Sequence, residues 1–262
     1  MDLGLEGKVA LVTAASRGLG KAAAVALSSA GAKLSICSRT PAIDSTAKEI
    51  RRATGGEAIA VRADLTKPDE VVSLVDQTVA HYGHIDVLII NSGGPPPGDF
   101  LSLSPNDWLE AIDLVLMSVV RLCYGVVPHM LERGSGSIVT NQSITVKHPL
   151  ESLILSNSLR LAVIGLMKSL ADELGPKGIR VNSINPAWTR TERVDSLLAD
   201  RAGRRGTSIE EEAERVTAGI PLGRMGTVEE YGRAIAWLAS PAASFVHGHA
   251  LMFDGGAARP YL

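Results

Sequence analysis

The feature that most constrains the fold is an alternation, kept up along nearly the whole chain, of short apolar runs with longer stretches of helical period. Strand-length runs fall at Lys8 to Thr13, Lys33 to Cys37, Glu57 to Val61, Asp86 to Ile90, Ser137 to Asn141, Ile179 to Ile184 and Ala250 to Phe253. Between them the spacing predicts helices over Gly18 to Ala30, from the second strand through Ile50, and over Pro68 to Tyr82, Pro105 to Leu131 and Leu153 to Leu174. Near-continuous apolar strands are what a sheet buried on both faces requires. Strand–helix–strand units cross over right-handed, so the pattern predicts an α/β fold: a doubly wound parallel sheet of about seven strands with helices on both faces.

No linker, repeat or low-complexity tract interrupts the 262 residues, which are expected to form a single domain spanning 1–262. One irregular stretch, about 187–226, is polar and rich in Arg and Glu, and its place after the sixth strand suits a helical substrate lid. A net charge of −2 argues against whole-surface attraction to nucleic acid or anionic membranes. The first residues lack the layout of a signal peptide, and no apolar run is read as long enough to span a bilayer, so a cytoplasmic protein is expected. Cys37 and Cys123 lie far apart without a CxxC or Cys/His pattern, and are read as reduced thiols with no metal site.

After the first strand comes Thr13-Ala14-Ala15-Ser16-Arg17-Gly18-Leu19-Gly20. Glycines let backbone approach a pyrophosphate, and the helix that starts there offers unpaired N–H groups and a positive dipole end. The second strand ends Cys37-Ser38-Arg39, with no acidic residue to bind a ribose 2′-hydroxyl and repel a 2′-phosphate. Arg17 and Arg39 could instead clamp that phosphate, which predicts NADP(H) in preference to NAD(H). The alternative is two solvated surface arginines.

On these residues the sequence resembles the short-chain dehydrogenase/reductase family, in particular its 3-oxoacyl-carrier-protein reductase-like members, over almost its whole length. Thr13 to Gly20 looks like the family's TGxxxGxG loop, with Ala14 in place of the first glycine. Asp64-Leu65 matches the family's acidic residue that contacts adenine, and Asn91-Ser92-Gly93-Gly94 resembles the NNAG segment beside the cofactor. Asn182 to Thr191 resembles N-x-x-x-PG-x-x-x-T, with Pro186 retained and Ala187 replacing the glycine. The resemblance implies a Rossmann-type domain in which Thr189 and Thr191 approach the nicotinamide amide and the pyrophosphate.

It also implies carbonyl reduction or alcohol oxidation by an Asn–Ser–Tyr–Lys group, and here the chain departs. Ser143 matches the serine, but the tyrosine position thirteen residues on is Ser156, and the lysine position is Arg160. Val115 stands for the asparagine, seven residues after Trp108. A serine gives up its proton far less readily than a phenol of pKa about 10. Arg160, one turn from Ser156 on the same helix face, can stabilise negative charge and hold ribose hydroxyls without itself titrating. Lys147 and His148, just beyond Ser143, are candidates for the missing proton donor, or else exposed loop residues.

Two function classes follow: an NADP(H)-dependent oxidoreductase acting on a small carbonyl or alcohol with a non-standard proton donor, or a dinucleotide-binding sensor or assembly partner without redox catalysis. A third reading moves the pocket away from nucleotides, because Ala14 and Ala187 each add a methyl group. Arg190, Arg193, Arg201, Arg204, Arg205 and Arg215 in the insertion either meet a phosphate- or carboxylate-bearing substrate or form a mixed-charge solvated helix pair. From the resemblance, the helices over 105–131 and 153–174 are expected to pair across a two-fold in a homodimer or homotetramer.

Overall fold

The computed structural model describes residues 2–259. Seven parallel strands, β1 (Val9–Val12), β2 (Lys33–Ser38), β3 (Ala58–Arg62), β4 (Val87–Ile90), β5 (Gly136–Asn141), β6 (Ile179–Pro186) and β7 (Ala250–Phe253), form one sheet ordered β3-β2-β1-β4-β5-β6-β7. The chain builds outward from β1 to β3 and then returns to β4 on the other side of β1. That reversal opens a crevice at the carboxyl ends of β1 and β4, where neighbouring crossovers run to opposite faces.

Helices α1 (Gly18–Ser29), α2 (Ala42–Thr54) and α9 (Val228–Ala239) cover one face, through a core that includes Leu27, Ile36, Ile50, Ile89 and Ile235. The other face carries α3 (Pro68–Tyr82), α4 (Pro105–Ile112), α5 (Ser118–Arg133) and α6 (Ile154–Leu174), packed through Leu74, Leu88, Leu122, Val126, Val163 and Val181. Small residues set the closeness of α1 to α9. A Cβ on Gly232 would lie 2.6 Å from the Ala22 carbonyl oxygen.

The single helix expected over Pro105 to Leu131 is instead two, joined by a π-helical turn at Asp113–Met117. Val115 sits in that turn and is buried. Inserting one extra residue per turn shifts the apolar face without ending the helix, so the hydrophobic pattern reads as continuous.

Two stretches also correct the hydropathy reading. Pro105–Arg133 (29 residues, mean hydropathy 1.7) and Ile154–Lys177 (24 residues, 1.3) are long and apolar enough to cross a membrane by length and composition. Their inner sides, including Val119, Val126, Leu155 and Met167, pack into the core against the sheet.

The stretch after β6 folds as α7 (Glu192–Arg205) and α8 (Ile209–Ala218), with a small core of its own in Val194, Leu198, Val216, Ile220 and Met225. Thr191 caps α7 by accepting from the Val194 N–H, and Ser208 caps α8 in a reciprocal box with Glu211.

Candidate active site

At the crevice, β1 and β4 are locked together by their terminal side chains. Thr13 Oγ1 donates to the Asn91 carbonyl at 2.7 Å and accepts from the Asn91 N–H at 2.9 Å. Asn91 Nδ2 donates onward to the Ala14 carbonyl (3.2 Å), and Asn141 Nδ2 donates to Asn91 Oδ1 (2.7 Å). Arg160 Nη1 then reaches the Asn141 carbonyl and Gln142 Oε1, both at 3.4 Å. One polar chain therefore links the glycine loop to the helix α6 residues where the chemistry is expected.

The loop itself is tight. Ala14 has φ +47°, the left-handed region that an L-residue enters at a cost, at the position where the resemblance puts glycine. Gly18, also left-handed, starts α1, and a Cβ on Gly20 would lie 2.3 Å from the Ala14 carbonyl oxygen. Ala187 carries no such strain, since its φ is not positive, and its N–H donates to the Phe253 carbonyl at 3.0 Å. Leu19 packs under the loop against the α1 core, and the Ser16 carbonyl accepts from Thr46 Oγ1 at 3.0 Å.

The two arginines expected to act as one clamp have separate partners. Arg17 pairs with Glu192 at the start of α7, both exposed, so this contact ties the glycine loop to the inserted helices. Arg39 lies 3.9 Å from Asp64 beyond the end of β2, where the Ser38 hydroxyl donates to the Thr40 carbonyl. Burial raises the Asp64 carboxyl, but hydrogen bonds from the Thr66 N–H and hydroxyl, with Arg39 and Lys67 nearby, bring it below its usual range. Leu65 is buried beside it, and its carbonyl accepts from Arg121.

On the substrate side, Ser156 and Arg160 are both buried, and Arg160 Nε donates to Ser156 Oγ at 3.0 Å. With a lone pair of Ser156 taken in this way, its own hydrogen is free to point elsewhere. Burial, and next the charge of Arg193, pull the Arg160 guanidinium down to about 10, with Tyr231 opposing, so it stays charged at neutral pH. Ser143 is half-buried at the end of β5, accepts from the Thr145 N–H at 3.2 Å, and opens the turn Ile144–Val146. That turn packs on α6, where Thr145 Oγ1 donates to the Ser156 carbonyl at 3.4 Å.

Lys147 and His148 are exposed beyond this turn. Of the tyrosines, Tyr231 is buried on α9, and burial pushes its phenol far up, with Arg160 only partly opposing. Tyr261 lies outside the described residues. Cys37 and Cys123 are free, and burial pushes both thiols up to about 12, which removes them as nucleophiles at neutral pH.

Does a nicotinamide dinucleotide fit these residues? Thr189 Oγ1 is buried and has no hydrogen-bond partner among the described residues, at the position where the resemblance puts a contact to the nicotinamide amide. A buried hydroxyl left unpaired is costly, and an amide of the cofactor would satisfy it. Thr191, with its methyl 3.6 Å from where a Gly18 Cβ would be, brings α7 to the start of α1. Pro186 ends β6 above this point, while Ser92 and Gly93 continue from β4, the Ser92 hydroxyl donating to the Gly93 carbonyl. A separate apolar groove of about 840 Å³ runs between α1 and α9, and only its end at Gly18, Thr191 and Glu192 touches the crevice.

Most of the insertion's arginines are spent locally. Arg204 pairs with Asp200, and Arg205 and Arg215 with the buried Glu212. Arg201 stacks 4.7 Å over the Trp188 ring. Gln142 escaped the sequence reading, and Arg193 was read only as one of six like arginines of the insertion. Neither belongs to a local motif, and each enters the site only because distant elements meet there.

A family model described as enoyl-(acyl carrier protein) reductase matches residues 13–258. The chain belongs to the short-chain dehydrogenase/reductase family. It is 35% identical over 255 residues to a 3-oxoacyl-[acyl-carrier-protein] reductase of Synechocystis sp., covering 96% of this chain and 97% of that one. L-sorbose reductase from Gluconobacter frateurii, solved with NADPH and L-sorbose, superposes with a TM-score of 0.94 at 29% identity, covering 99% and 100% of the two chains. A single-substitution form of actinorhodin polyketide ketoreductase with NADPH gives 0.93 at 33% identity, covering 97% and 98%. The chain keeps the fold of these relatives, and the sequence resemblance alone assigns Ser156 and Arg160 to the family's tyrosine and lysine positions.

Proposed function

We propose that this protein is an NADP(H)-dependent reductase or dehydrogenase of a small carbonyl or alcohol, with Arg160 and Ser156 in place of the family's lysine and tyrosine. The observation that carries this reading is the Arg160–Ser156 pair itself, buried at 3.0 Å and joined by hydrogen bonds to the glycine loop. NADPH-bound relatives at TM-scores of 0.94 and 0.93 support the cofactor, as does the lack of an acidic residue after β2. Thr13, Ser16, Arg17, Gly18, Leu19 and Gly20 would form the bed of the diphosphate, with Ser38 and Arg39 at the 2′-phosphate and Asp64 and Leu65 at the adenine. Asn91, Ser92, Gly93, Pro186, Ala187, Thr189 and Thr191 would line the nicotinamide half.

A nicotinamide held by these residues would supply the hydride in reduction, or accept it in oxidation. Ser143 and Ser156 would orient the substrate oxygen, Ser156 through the hydrogen that Arg160 leaves free. Arg160 would hold the ribose hydroxyls and stabilise negative charge developing on that oxygen. The proton would come from solvent, relayed by Lys147 on the exposed loop after Ser143.

The test is a titration of NADPH and NADH followed by NADPH oxidation with a panel of ketones, aldehydes and 3-oxoacyl thioesters. NADPH binding with no turnover on any member would favour the second reading, a dinucleotide-binding sensor, which the missing tyrosine motivates. No binding of either dinucleotide would defeat both. The protein is further proposed to be cytoplasmic and a homodimer or homotetramer, because α4, α5 and α6 leave Leu109, Tyr124, Leu131 and Leu161 exposed. A monomeric mass by light scattering would refute that assembly.

A further inference from the structure

Arg193 follows the α7 cap and turns inward. Its Nη2 donates to the Pro95 carbonyl at 2.9 Å, and its guanidinium lies across Gly94, where a Cβ would be 3.1 Å from Nη2 and 3.3 Å from Nε. The side chain thus bridges from the inserted helices to the loop that follows β4. Its neighbour Glu192 turns the other way, toward Arg17 and the start of α1. The two sides of this short segment therefore face the two halves of the crevice: Glu192 the diphosphate half, Arg193 the half beside Gly94.

Among the described residues no carboxylate lies within ion-pair distance of Arg193 or of Arg160. Most other charges of this region have an ion-pair partner, Arg201 being held instead over the Trp188 ring. Glu212, for example, has both Arg205 and Arg215. Burial, and next the charge of Arg193, also pull the Arg160 guanidinium down. Two cations with no carboxylate in contact, one of them lying over a glycine with only the more distant charge of Asp200 favouring it, make a receptor for a planar anion. Glycine at 94 lets the guanidinium lie this close, since a Cβ there would press on it at 3.1 Å.

We propose that Arg193, backed by Arg160, anchors a carboxylate on the substrate, so that the preferred substrates are small oxo acids rather than neutral ketones or aldehydes. This rests on the oxidoreductase reading above and names the substrate class of the same site. The carboxylate would take the outward edge of Arg193, with Pro95 fixing the inner one, and would place the carbonyl toward Ser156 and Ser143.

The experiment compares a panel of 2- and 3-oxo acids with their methyl esters, on the wild type and on Arg193→Met and Arg193→Lys. Readouts are NADPH oxidation and calorimetric titration of acid and ester, with and without cofactor. A charge-assisted bidentate contact predicts that the wild type favours acid over ester by about 10- to 100-fold, and that Arg193→Met loses most of this while Arg193→Lys keeps part. The NADPH dissociation constant should change less than threefold in either variant. Equal handling of acid and ester by the wild type would overturn the proposal. So would a parallel loss of NADPH affinity in Arg193→Met, which would make the cofactor diphosphate the counter-ion. If no dinucleotide binds, the oxidoreductase reading fails, and acid against ester binding to the cofactor-free protein still decides this one.

Discussion

Ala14 offers the sharpest physical test of the crevice, because it bears a strain that one methyl group creates. Its φ of +47° places the Cβ against the following carbonyl, which costs an L-residue about 1–2 kcal/mol. Replacing it by glycine removes that cost but gives the unfolded chain more freedom, which takes back about 0.4–1 kcal/mol. Ala14→Gly should therefore stabilise by about 0.5–1 kcal/mol. With an m-value on the order of 3 kcal/mol/M in urea, the midpoint rises by about 0.2–0.3 M. The neighbouring Ala15 is fully buried and has no positive φ, so Ala15→Gly pays the entropy, loses packing, and relieves nothing. It should destabilise by about 1 kcal/mol or more. Urea unfolding of both variants, at one protein concentration so that assembly does not shift the midpoint, makes the comparison. A lowered midpoint for Ala14→Gly, or equal shifts for both, would show that the backbone at 14 is not strained and would sink the reasoning.

Arg39 is proposed to meet the 2′-phosphate and has, among the described residues, only Asp64 at 3.9 Å as ion-pair partner, so Arg39→Met should weaken NADPH binding by about 10-fold while leaving NADH within about twofold. Fluorescence titration of both dinucleotides checks this, and equal losses would remove Arg39 from cofactor selection. The Glu230 carboxyl is held at about 2, against an ordinary 4.5, by hydrogen bonds from Arg224 and then from the Thr227 N–H. A depressed carboxyl gives stability that is complete above about pH 4.5 and is lost as the pH falls toward 2. Thermal midpoints of the wild type and Arg224→Met should therefore differ most at neutral pH and converge in acid; a constant difference across that range would contradict the assignment.

The alternation of strand and helix, the placement of the glycine loop between β1 and α1, and the helical character of the insertion were legible in the sequence, because each depends on residues adjacent in the chain. Strand ends were off by only a residue or two, as at β1 and β3. The π-helical turn at Asp113–Met117 was not legible, since it leaves the apolar periodicity almost unbroken. The resemblance pointed to Ser143, Ser156 and Arg160, and the structure adds that Ser156 and Arg160 touch.

What the sequence by itself determined is the sheet, its order of construction, and the family to which the chain belongs. Burying apolar strands on both faces admits few other arrangements. Only the tertiary structure decided which polar atoms meet. Thr13, Asn91, Asn141 and Arg160 come from β1, β4, β5 and α6, and form one network only when the parallel register brings their ends to the same level. The same holds for the arginines of the insertion, which look alike in sequence. Nearby carboxylates pair Arg204, Arg205 and Arg215, the Trp188 ring holds Arg201, and Arg193 is left lying on Gly94 with no carboxylate in contact among the described residues.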